Sequence, residues 1–246
     1  MLSIDINCDM GEAIGNDEEL MPFISSANIA CGYHAGNEQT MQKTIDLCIK
    51  YNVAIGAHPS FNDKENFGRT EMQLPTAEIY SLIIAQIKSL QVITAKNGAI
   101  IHHVKPHGAL YNMAAKDANI AATIAYAVKD IDASLILFGL AGSYSIKEAK
   151  RIGLKTASEV FADRTYQDDG SLTSRKFRNA LIEDSNAALA QVITMVKDKS
   201  VTSLSGKTIA IDAETICIHG DGKHAVEFAT LVYQQLKQEG IAIKAI

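Results

Sequence analysis

The sequence lacks several features that would place it in well-marked classes of protein. Tryptophan is absent, and none of the four cysteines, Cys8, Cys31, Cys48 and Cys217, forms a C-x-x-C pair. That spacing argues against zinc ribbons and thiol–disulfide exchange motifs, and a chain of 246 residues can bury a core without disulfides. We therefore expect reduced thiols, and Cys8, Cys31 and Cys217 are either small packing residues or candidate nucleophiles.

An excess of positive charge and long hydrophobic runs are also missing. The 23 Lys and Arg residues stand against 28 Asp and Glu residues, which gives a net charge of -5 and leaves no basic stripe for a nucleic-acid backbone. No apolar stretch approaches the ~20 residues needed to span a bilayer, and the first residues do not have a signal-peptide pattern. We expect a cytoplasmic protein that binds neither nucleic acid nor membrane.

Short apolar runs alternate along the chain with stretches of helical period, which indicates parallel β–α units. Strands are predicted at residues 2–7, 27–31, 53–57, 100–105, 134–139, 156–161, within 208–218 and at 241–245. Helices are predicted at residues 37–51, 76–96, 117–129, 143–152, 184–197 and 223–238. Seven or eight units without a mark of reversed strand order favour an α/β fold, a closed barrel forming one domain over residues 1–246.

Six of the apolar runs end in side chains capable of chemistry, at residues 5–9, 29–34, 54–58, 104–107, 160–164 and 216–221. The carboxyl ends of neighbouring parallel strands lie on one face, so these groups would meet in one pocket. Two long polar connections, residues 59–75 and 163–180, follow strand ends and are predicted to form walls or a lid. This convergence indicates an enzyme.

Three residues from successive strand ends offer the atoms that bind metals. Asp9, His34 and His58 together could hold a divalent metal and leave coordination positions open for water. The alternative is that these side chains hydrogen-bond to one another and to the substrate.

A stiff strand end is predicted at His58 and at Lys105, because each precedes a proline, which keeps the preceding residue extended. Lys105 is suited to binding a carboxylate, a phosphate or a developing oxyanion. Since side chains alternate along a strand, His103 should share its face. His107 is interpreted as an acid/base group or a substrate contact, unless Pro-His-Gly is an ordinary turn.

Other polar residues complete the predicted site. Arg164 could also balance negative charge, whereas Arg69 is either such a cation or a solvated loop residue. His219 opens a segment, residues 219–223, that could bind an anion at the start of a helix, although no phosphate-loop motif occurs. Glu12, Glu159, Asp163 and Asp221 could act as bases or orienting groups, and Asn7, Asn28, Tyr111 and Asn112 could orient a polar substrate.

Seven segments, taken together, resemble the A subunits of bacterial ATP-dependent 5-oxoprolinases, a family long called lactam utilisation proteins. They are DINCDMGE (5–12), ANIACGYHAG (27–36), IGAHP (55–59), FGR (67–69), VKPHGALYN (104–112), EVFADR (159–164) with DG (169–170), and HGD (219–221). The resemblance covers nearly the whole chain in the right order. It implies a distorted (β/α)7–8 barrel of the glycoside hydrolase/deacetylase type. It also implies two partner subunits, B and C, and the ATP-driven opening of 5-oxo-L-proline to L-glutamate.

The resemblance also implies a division of roles. A lactam is an unactivated amide, which phosphorylation of its oxygen would activate, and the partner subunits would bind ATP because no phosphate loop occurs here. Lys105 and Arg164 would balance charge, His107 or Asp9 would move a proton, and His34 and His58 would orient water or metal. The expected catalytic residues are Asp9, His58, Lys105, His107, Asp163 and Arg164, and the expected substrate contacts are Asn7, Glu12, Asn28, Arg69, Tyr111, His219 and Asp221.

The chain departs from the family pattern at two places. Asn37 follows His-Ala-Gly where the family usually has an aspartate, and Thr70 follows Phe-Gly-Arg where a second charged residue is common. Two other functions also fit the residues. One is a metal-dependent deacetylase or amidohydrolase that acts without ATP, and the other is a non-catalytic subunit that binds a small acid and presents it to partners.

Overall fold

Seven parallel strands form a closed barrel in the structure, a computed structural model that describes residues 2–220 and 224–246. Ten strands occur in the described residues, in chain order β1 Ser3–Met10, β2 Ser26–Ala30, β3 Ala54–His58, β4 His103–Val104, β5 Ile136–Leu140, β6 Lys155–Phe161, β7 Ser200–Thr202, β8 Thr208–Ala210, β9 Thr215–Ile218 and β10 Ala242–Ile243. Pairing runs β1-β2-β3-β4-β5-β6-β9 and returns from β9 to β1. The predicted α/β barrel is confirmed, with seven strands in the ring.

The ring is distorted where it closes. Thr215 of β9 lies opposite both Glu159 of β6 and Asp5 of β1. The short strand β10 pairs with the start of β1, where Ser3 lies opposite Ala242. The short strands β9 and β10 therefore both pair with the same side of β1. β7 and β8 form an antiparallel pair outside the ring, and β7 was not predicted.

Eight α-helices occur in the described residues: α1 Asp17–Leu20, α2 Glu38–Tyr51, α3 Thr76–Lys96, α4 Gly108–Lys116, α5 Ala118–Ile131, α6 Tyr144–Arg151, α7 Ser185–Lys197 and α8 Ala225–Gln238. All six predicted helices are present. In α3, Ile79, Ile83, Ile87 and Leu90 recur on one buried face, as expected for a helix packed on a barrel. Over residues 2–220 and 224–246, no helix is long and apolar enough to cross a membrane.

Asn37 serves as the N-terminal cap of α2. Its side-chain oxygen accepts a hydrogen bond from the Thr40 amide at 3.0 Å, and the Thr40 hydroxyl accepts one from the Asn37 amide at 2.8 Å. Asparagine and aspartate cap helices about equally well. The departure from the family pattern at position 37 therefore preserves the start of this helix.

The proline-based prediction for the two strand ends is confirmed. His58 is the last residue of β3, and the amide of Lys105, just beyond β4, donates to the Ala57 carbonyl at 2.9 Å. The strand predicted from residue 100 is shorter than expected, since Ile100 is 83% exposed. Helix α4, which starts at Gly108, was not predicted, because packing of its alanines and Leu110 in the core outweighs weak helix propensity at its start.

Polar side chains fill part of the barrel interior. The imidazole of His103 is fully buried, stacks on Phe138 with 4.1 Å between ring centroids, and donates from Nε2 to Asn28 Oδ1 at 2.8 Å. Gly56 on β3 leaves the space for this ring, because a Cβ atom there would overlap the imidazole of His103. His103 and Lys105 both point inward, as alternation along the strand predicted.

Candidate active site

A pocket of about 710 Å³ opens at the carboxyl ends of the barrel strands. Both long connections predicted to be walls contribute to it, through residues that include Phe67 and Arg69 from the first and residues 169–176 from the second. The predicted site residues that line it are Asp9, Glu12, His58, Arg69, Lys105, His107, Tyr111, Asn112, Arg164 and His219. The distant segments therefore meet at one cavity.

Lys105 lies at the bottom of this pocket, with a side chain only 3% exposed. Its Nζ lies 3.0 Å from Asp9 Oδ1 and 2.8 Å from Glu159 Oε1, and it also donates to Asn7 Oδ1 at 3.1 Å and to Cys217 Sγ at 3.2 Å. Burial acts to lower the pKa of Lys105, but the two carboxylates outweigh it and raise the pKa well above its usual value. The lysine is a fixed cation.

Asp9 connects this lysine to the neighbouring histidines. Its Oδ1 accepts hydrogen bonds from Lys105 and, at 2.8 Å, from the Asn28 amide, while its Oδ2 lies 3.3 Å from His58 Nε2. Burial alone would raise the pKa of Asp9, but His58 and Lys105 outweigh it and lower the pKa well below the usual value. Asp9 is therefore a carboxylate at neutral pH.

A chain of buried hydrogen bonds beneath the pocket orients Asn7. The Asn7 Nδ2 donates to Thr215 Oγ1 at 2.7 Å, and that hydroxyl donates to Asp5 Oδ2 at 2.5 Å. Asp5 Oδ1 also accepts from two serine hydroxyls at 2.6 and 2.7 Å, and burial raises the pKa of its carboxyl in spite of these bonds. Because Thr215 holds the amide nitrogen of Asn7, the amide oxygen faces Lys105.

Glu12, His34, His58 and His107 form a compact group of potential metal ligands, here called the histidine cluster. One donor atom from each of the four lies within 4.8 Å of all the others. The rings of His34 and His107 stack with 3.8 Å between centroids, and burial lowers the pKa of His107 to about 3. The sequence predicted Asp9, His34 and His58 as ligands. Glu12 and His107 join the two histidines here, whereas Asp9 contacts the cluster through His58.

A second hydrogen-bonded row, made of Asp163, His219 and Arg175, also lies at the pocket. His219 Nδ1 donates to the Asp163 carboxylate at 2.9 Å, and Arg175 Nη2 donates to His219 Nε2 at 2.9 Å. Burial would raise the pKa of Asp163, but the hydrogen bond from His219 outweighs it, so the pKa is lowered. Sequence reasoning missed Arg175 because it lies in a polar loop without a recognisable motif.

The other predicted residues lie at or just behind the pocket. Arg164 is buried and donates to the Ala180 carbonyl at 3.2 Å and the Thr173 carbonyl at 2.6 Å, so it fixes the second long connection. Asn7, Asn28 and His34 lie buried beneath the cavity, Asp163 lies behind His219, and Asp221 falls outside the described residues. The catalytic and substrate-binding roles of the predicted residues stay predictions.

Two cysteines considered as nucleophiles are poorly suited to that role. Burial raises the pKa of Cys217 well above its usual value and raises the pKa of Cys31 to about 12. The thiolate is the reactive form of cysteine, and these thiols are held protonated. Cys217 instead lies against Lys105, while the Cys31 thiol donates to the Ile29 carbonyl at 3.3 Å.

Acids, histidines and a lysine meet at the carboxyl ends of the barrel strands, which is an arrangement typical of barrel enzymes. Sequence comparison identifies the family. A sequence profile of the LamB/YcsF family matches residues 4–246, and the chain belongs to this family. The A subunit of 5-oxoprolinase from Tolumonas auensis is 53% identical over 251 residues, and the match covers all of both chains. The A subunit of 5-oxoprolinase from Geobacillus kaustophilus is 50% identical over 249 residues, covering 100% of this chain and 97% of the relative.

One solved structure agrees with this assignment, and a more distant one shares the fold. The lactam utilization protein from Thermus thermophilus superposes with a TM-score of 0.94 at 38% identity, and the match covers all of both chains. A family 4 carbohydrate esterase from Streptomyces lividans superposes with a TM-score of 0.56 at 12% identity, covering 99% of this chain and 92% of the esterase. This second likeness relates the barrel to deacetylase-type folds.

Proposed function

We propose that this chain is the lactam-opening component of a cytoplasmic 5-oxoprolinase. In this proposal, 5-oxo-L-proline is converted to L-glutamate while partner subunits B and C bind and hydrolyse ATP. The observation that carries the proposal is the fixed Lys105 cation, held between Asp9 and Glu159 beside the histidine cluster. Full-length relatives named as A subunits of 5-oxoprolinase support the choice of substrate and of partners.

The reaction needs activation of the amide, proton transfer and control of negative charge. Phosphorylation of the lactam oxygen would make the ring carbon electrophilic. Water adding there lets the C–N bond break as the nitrogen takes a proton, and hydrolysis of the resulting acyl phosphate gives glutamate and phosphate. Lys105 would stabilise the negative charge that develops on oxygen, and the ionised Asp9 would take a proton from water.

A divalent metal is a further part of the proposal. Three imidazoles and one carboxylate form a donor set that fits such an ion, and Glu12, His34, His58 and His107 would hold it. When bound, the ion would polarise the lactam oxygen or lower the pKa of a water molecule. Asp9 would remain beside it as the proton acceptor, since Lys105 and Asn28 orient its other oxygen.

The division of labour between subunits provides the test. The purified chain is incubated with ATP and 5-oxoproline, alone and together with subunits B and C, and glutamate is measured. We expect glutamate only from the full complex. Glutamate from the isolated chain with ATP would show that this chain also handles the nucleotide.

The histidine cluster and the deacetylase-type barrel favour one second candidate, a metal-dependent amidohydrolase that needs no ATP. Hydrolysis of simple amides or N-acetyl groups by the metal-loaded chain alone would support that function. Binding of 5-oxoproline without any loss of complex activity in Lys105 and His107 variants would instead indicate a non-catalytic binding subunit.

A further inference from the structure

The outward-facing nitrogens of two cluster histidines determine which tautomers these rings adopt. His58 Nδ1 lies 2.7 Å from the carbonyl oxygen of Lys105, and His107 Nε2 lies 2.9 Å from the carbonyl oxygen of Phe67. A carbonyl oxygen can only accept a hydrogen bond, so both ring nitrogens must carry the hydrogen. In the neutral imidazoles, His58 Nε2 and His107 Nδ1 are then bare electron-pair donors. These two nitrogens lie 2.9 Å apart and face each other.

The same argument applies to His34 through one intermediate group. The Ser60 hydroxyl donates its hydrogen to the Phe61 carbonyl at 2.9 Å, so it must accept from His34 Nδ1, which lies 2.9 Å away. His34 Nε2 is therefore bare as well. It lies 3.2 Å from Glu12 Oε1, a carboxylate oxygen that is itself an acceptor.

Several acceptor atoms thus face one another across the centre of the cluster. The contacts are His58 with His107 at 2.9 Å, His34 with Glu12 at 3.2 Å, His58 with Asp9 at 3.3 Å and His107 with Glu12 at 3.6 Å. Such contacts are repulsive when no hydrogen or cation lies between the atoms. A proton on His58 Nε2 would relieve its contacts with His107 and Asp9 but would leave the contacts of Glu12 with His34 and His107, whereas one central cation would relieve the contacts among all four cluster residues.

We infer that Glu12, His34, His58 and His107 form a preorganised site for one transition-metal cation, with Ser60 and the Lys105 and Phe67 carbonyls as the groups that fix the ligand tautomers. Ligating histidines characteristically donate their other ring hydrogen to an oxygen in this way. Ligands about 2.0–2.2 Å from a common ion lie about 3–4 Å apart, which the observed contacts approach. The inference rests on the proposed function only in placing the ion beside the lactam.

The chemistry of the ligands indicates which metals the site prefers. Imidazole nitrogen suits Zn²⁺, Co²⁺, Ni²⁺ or Fe²⁺, whereas Mg²⁺ and Ca²⁺ prefer shells made of oxygen ligands. With three nitrogens and one carboxylate, the cluster should select the first group. The Mg²⁺ that accompanies ATP would therefore not compete for this site.

Metal binding can be measured on the whole chain without partners, ATP or lactam. The protein is stripped with a chelator, dialysed, and titrated with Zn²⁺, Co²⁺ and Mg²⁺ by calorimetry, with visible absorption recorded for Co²⁺. We expect one Zn²⁺ or Co²⁺ per chain, a cobalt d–d spectrum, and Mg²⁺ binding at least ~100-fold weaker. Stoichiometric binding without lactam turnover would uphold this inference while contradicting the proposed function.

Two near-isosteric variants and one control make the assignment specific. Glu12→Gln removes a ligand charge, and Ser60→Ala removes only the group that fixes His34, so Ser60→Ala should weaken Zn²⁺ binding ~10–100-fold. Glu12→Gln should weaken it at least as much and change the cobalt spectrum. His224→Ala removes an exposed histidine at the start of α8 and should change neither.

Three outcomes would overturn the inference. One is Zn²⁺ and Co²⁺ binding that is not stoichiometric or is no tighter than Mg²⁺ binding. A second is Zn²⁺ affinity unchanged in both Glu12→Gln and Ser60→Ala. The third is a metal-free protein whose ¹⁵N imidazole signals show one cluster histidine doubly protonated at neutral pH, with added Zn²⁺ leaving those signals unchanged.

Discussion

The pocket floor and the pocket mouth hold their charges in different ways. The floor, defined by Asn7, Asp9, Lys105 and Glu159, has a buried cation fixed by two carboxylates and an amide. The mouth, defined by Lys116, Lys147, Arg175 and Lys176, is a set of cations exposed to solvent. Buried charges are weakly screened and costly to leave unpaired, whereas exposed ones are screened by salt. The floor therefore holds a paired charge that salt screens little, whereas the charges at the mouth are screened by salt.

The largest difference in turnover between the two regions is expected when one cation is removed from each. Lys105→Ala should lower turnover of 5-oxoproline by the full complex at least ~100-fold, because a fixed charge that stabilises the transition state is lost. Lys147→Ala, the matched change at the mouth, should alter kcat less than ~3-fold and mainly raise KM at low salt. Circular dichroism of both variants checks folding. Near-normal turnover of Lys105→Ala would remove this lysine from the mechanism.

The barrel interior around Gly56 and His103 is also expected to be intolerant of added volume. Gly56→Ala should lower the free energy of unfolding by about 1–3 kcal/mol, because its Cβ would collide with the His103 ring. Denaturant titration measures the loss. The double variant Gly56→Ala/His103→Ala should lose less than the sum of the two single changes, since the collision is gone. Strictly additive losses would contradict the close packing of these two residues.

The smallest effect on stability is expected at the hydrogen bond between Asp163 and His219, and it depends on pH. The folded-state pKa of Asp163 is lowered from 3.8, so its hydrogen bond with His219 stabilises the fold above that pH. Asp163→Asn should cost about 1 kcal/mol of unfolding free energy at pH 5. The difference from the unchanged protein should shrink as pH falls through the folded-state pKa.

A control substitution tests whether this pH dependence comes from the Asp163–His219 hydrogen bond. Asp198→Asn alters an exposed aspartate after helix α7 and should show no comparable trend. A difference between the Asp163→Asn variant and the unchanged protein that persists undiminished at pH 2 would contradict the assignment.

The sequence predicted the floor better than the mouth, and the reason is physical. Strand ends and pre-proline residues are fixed by local rules, so the positions of His58 and Lys105 followed from the residues next to them. The convergence of these groups then followed from the parallel arrangement of strands. Local patterns sufficed where the backbone itself positions the side chain.

Pairings between distant segments could not be predicted in the same way. Arg175 reaches His219 across 44 residues, and Thr215 reaches Asn7 across 208, so neither contact leaves a local signal. The tautomers of the cluster histidines depend on the Ser60 hydroxyl and on two carbonyl oxygens, which are positioned by the folded chain. These details depend on tertiary contacts rather than on spacing.

The closing strand β9 has a consequence for how the protein is made. Thr215 orients Asn7, and Cys217 lies against the amine of Lys105, so residues from the last seventh of the chain complete a centre begun at its start. A ribosome-bound chain lacking these residues would present an open ring and an unfinished lysine site. The lysine site can therefore form only late in synthesis, after β9 has emerged and paired with both β1 and β6.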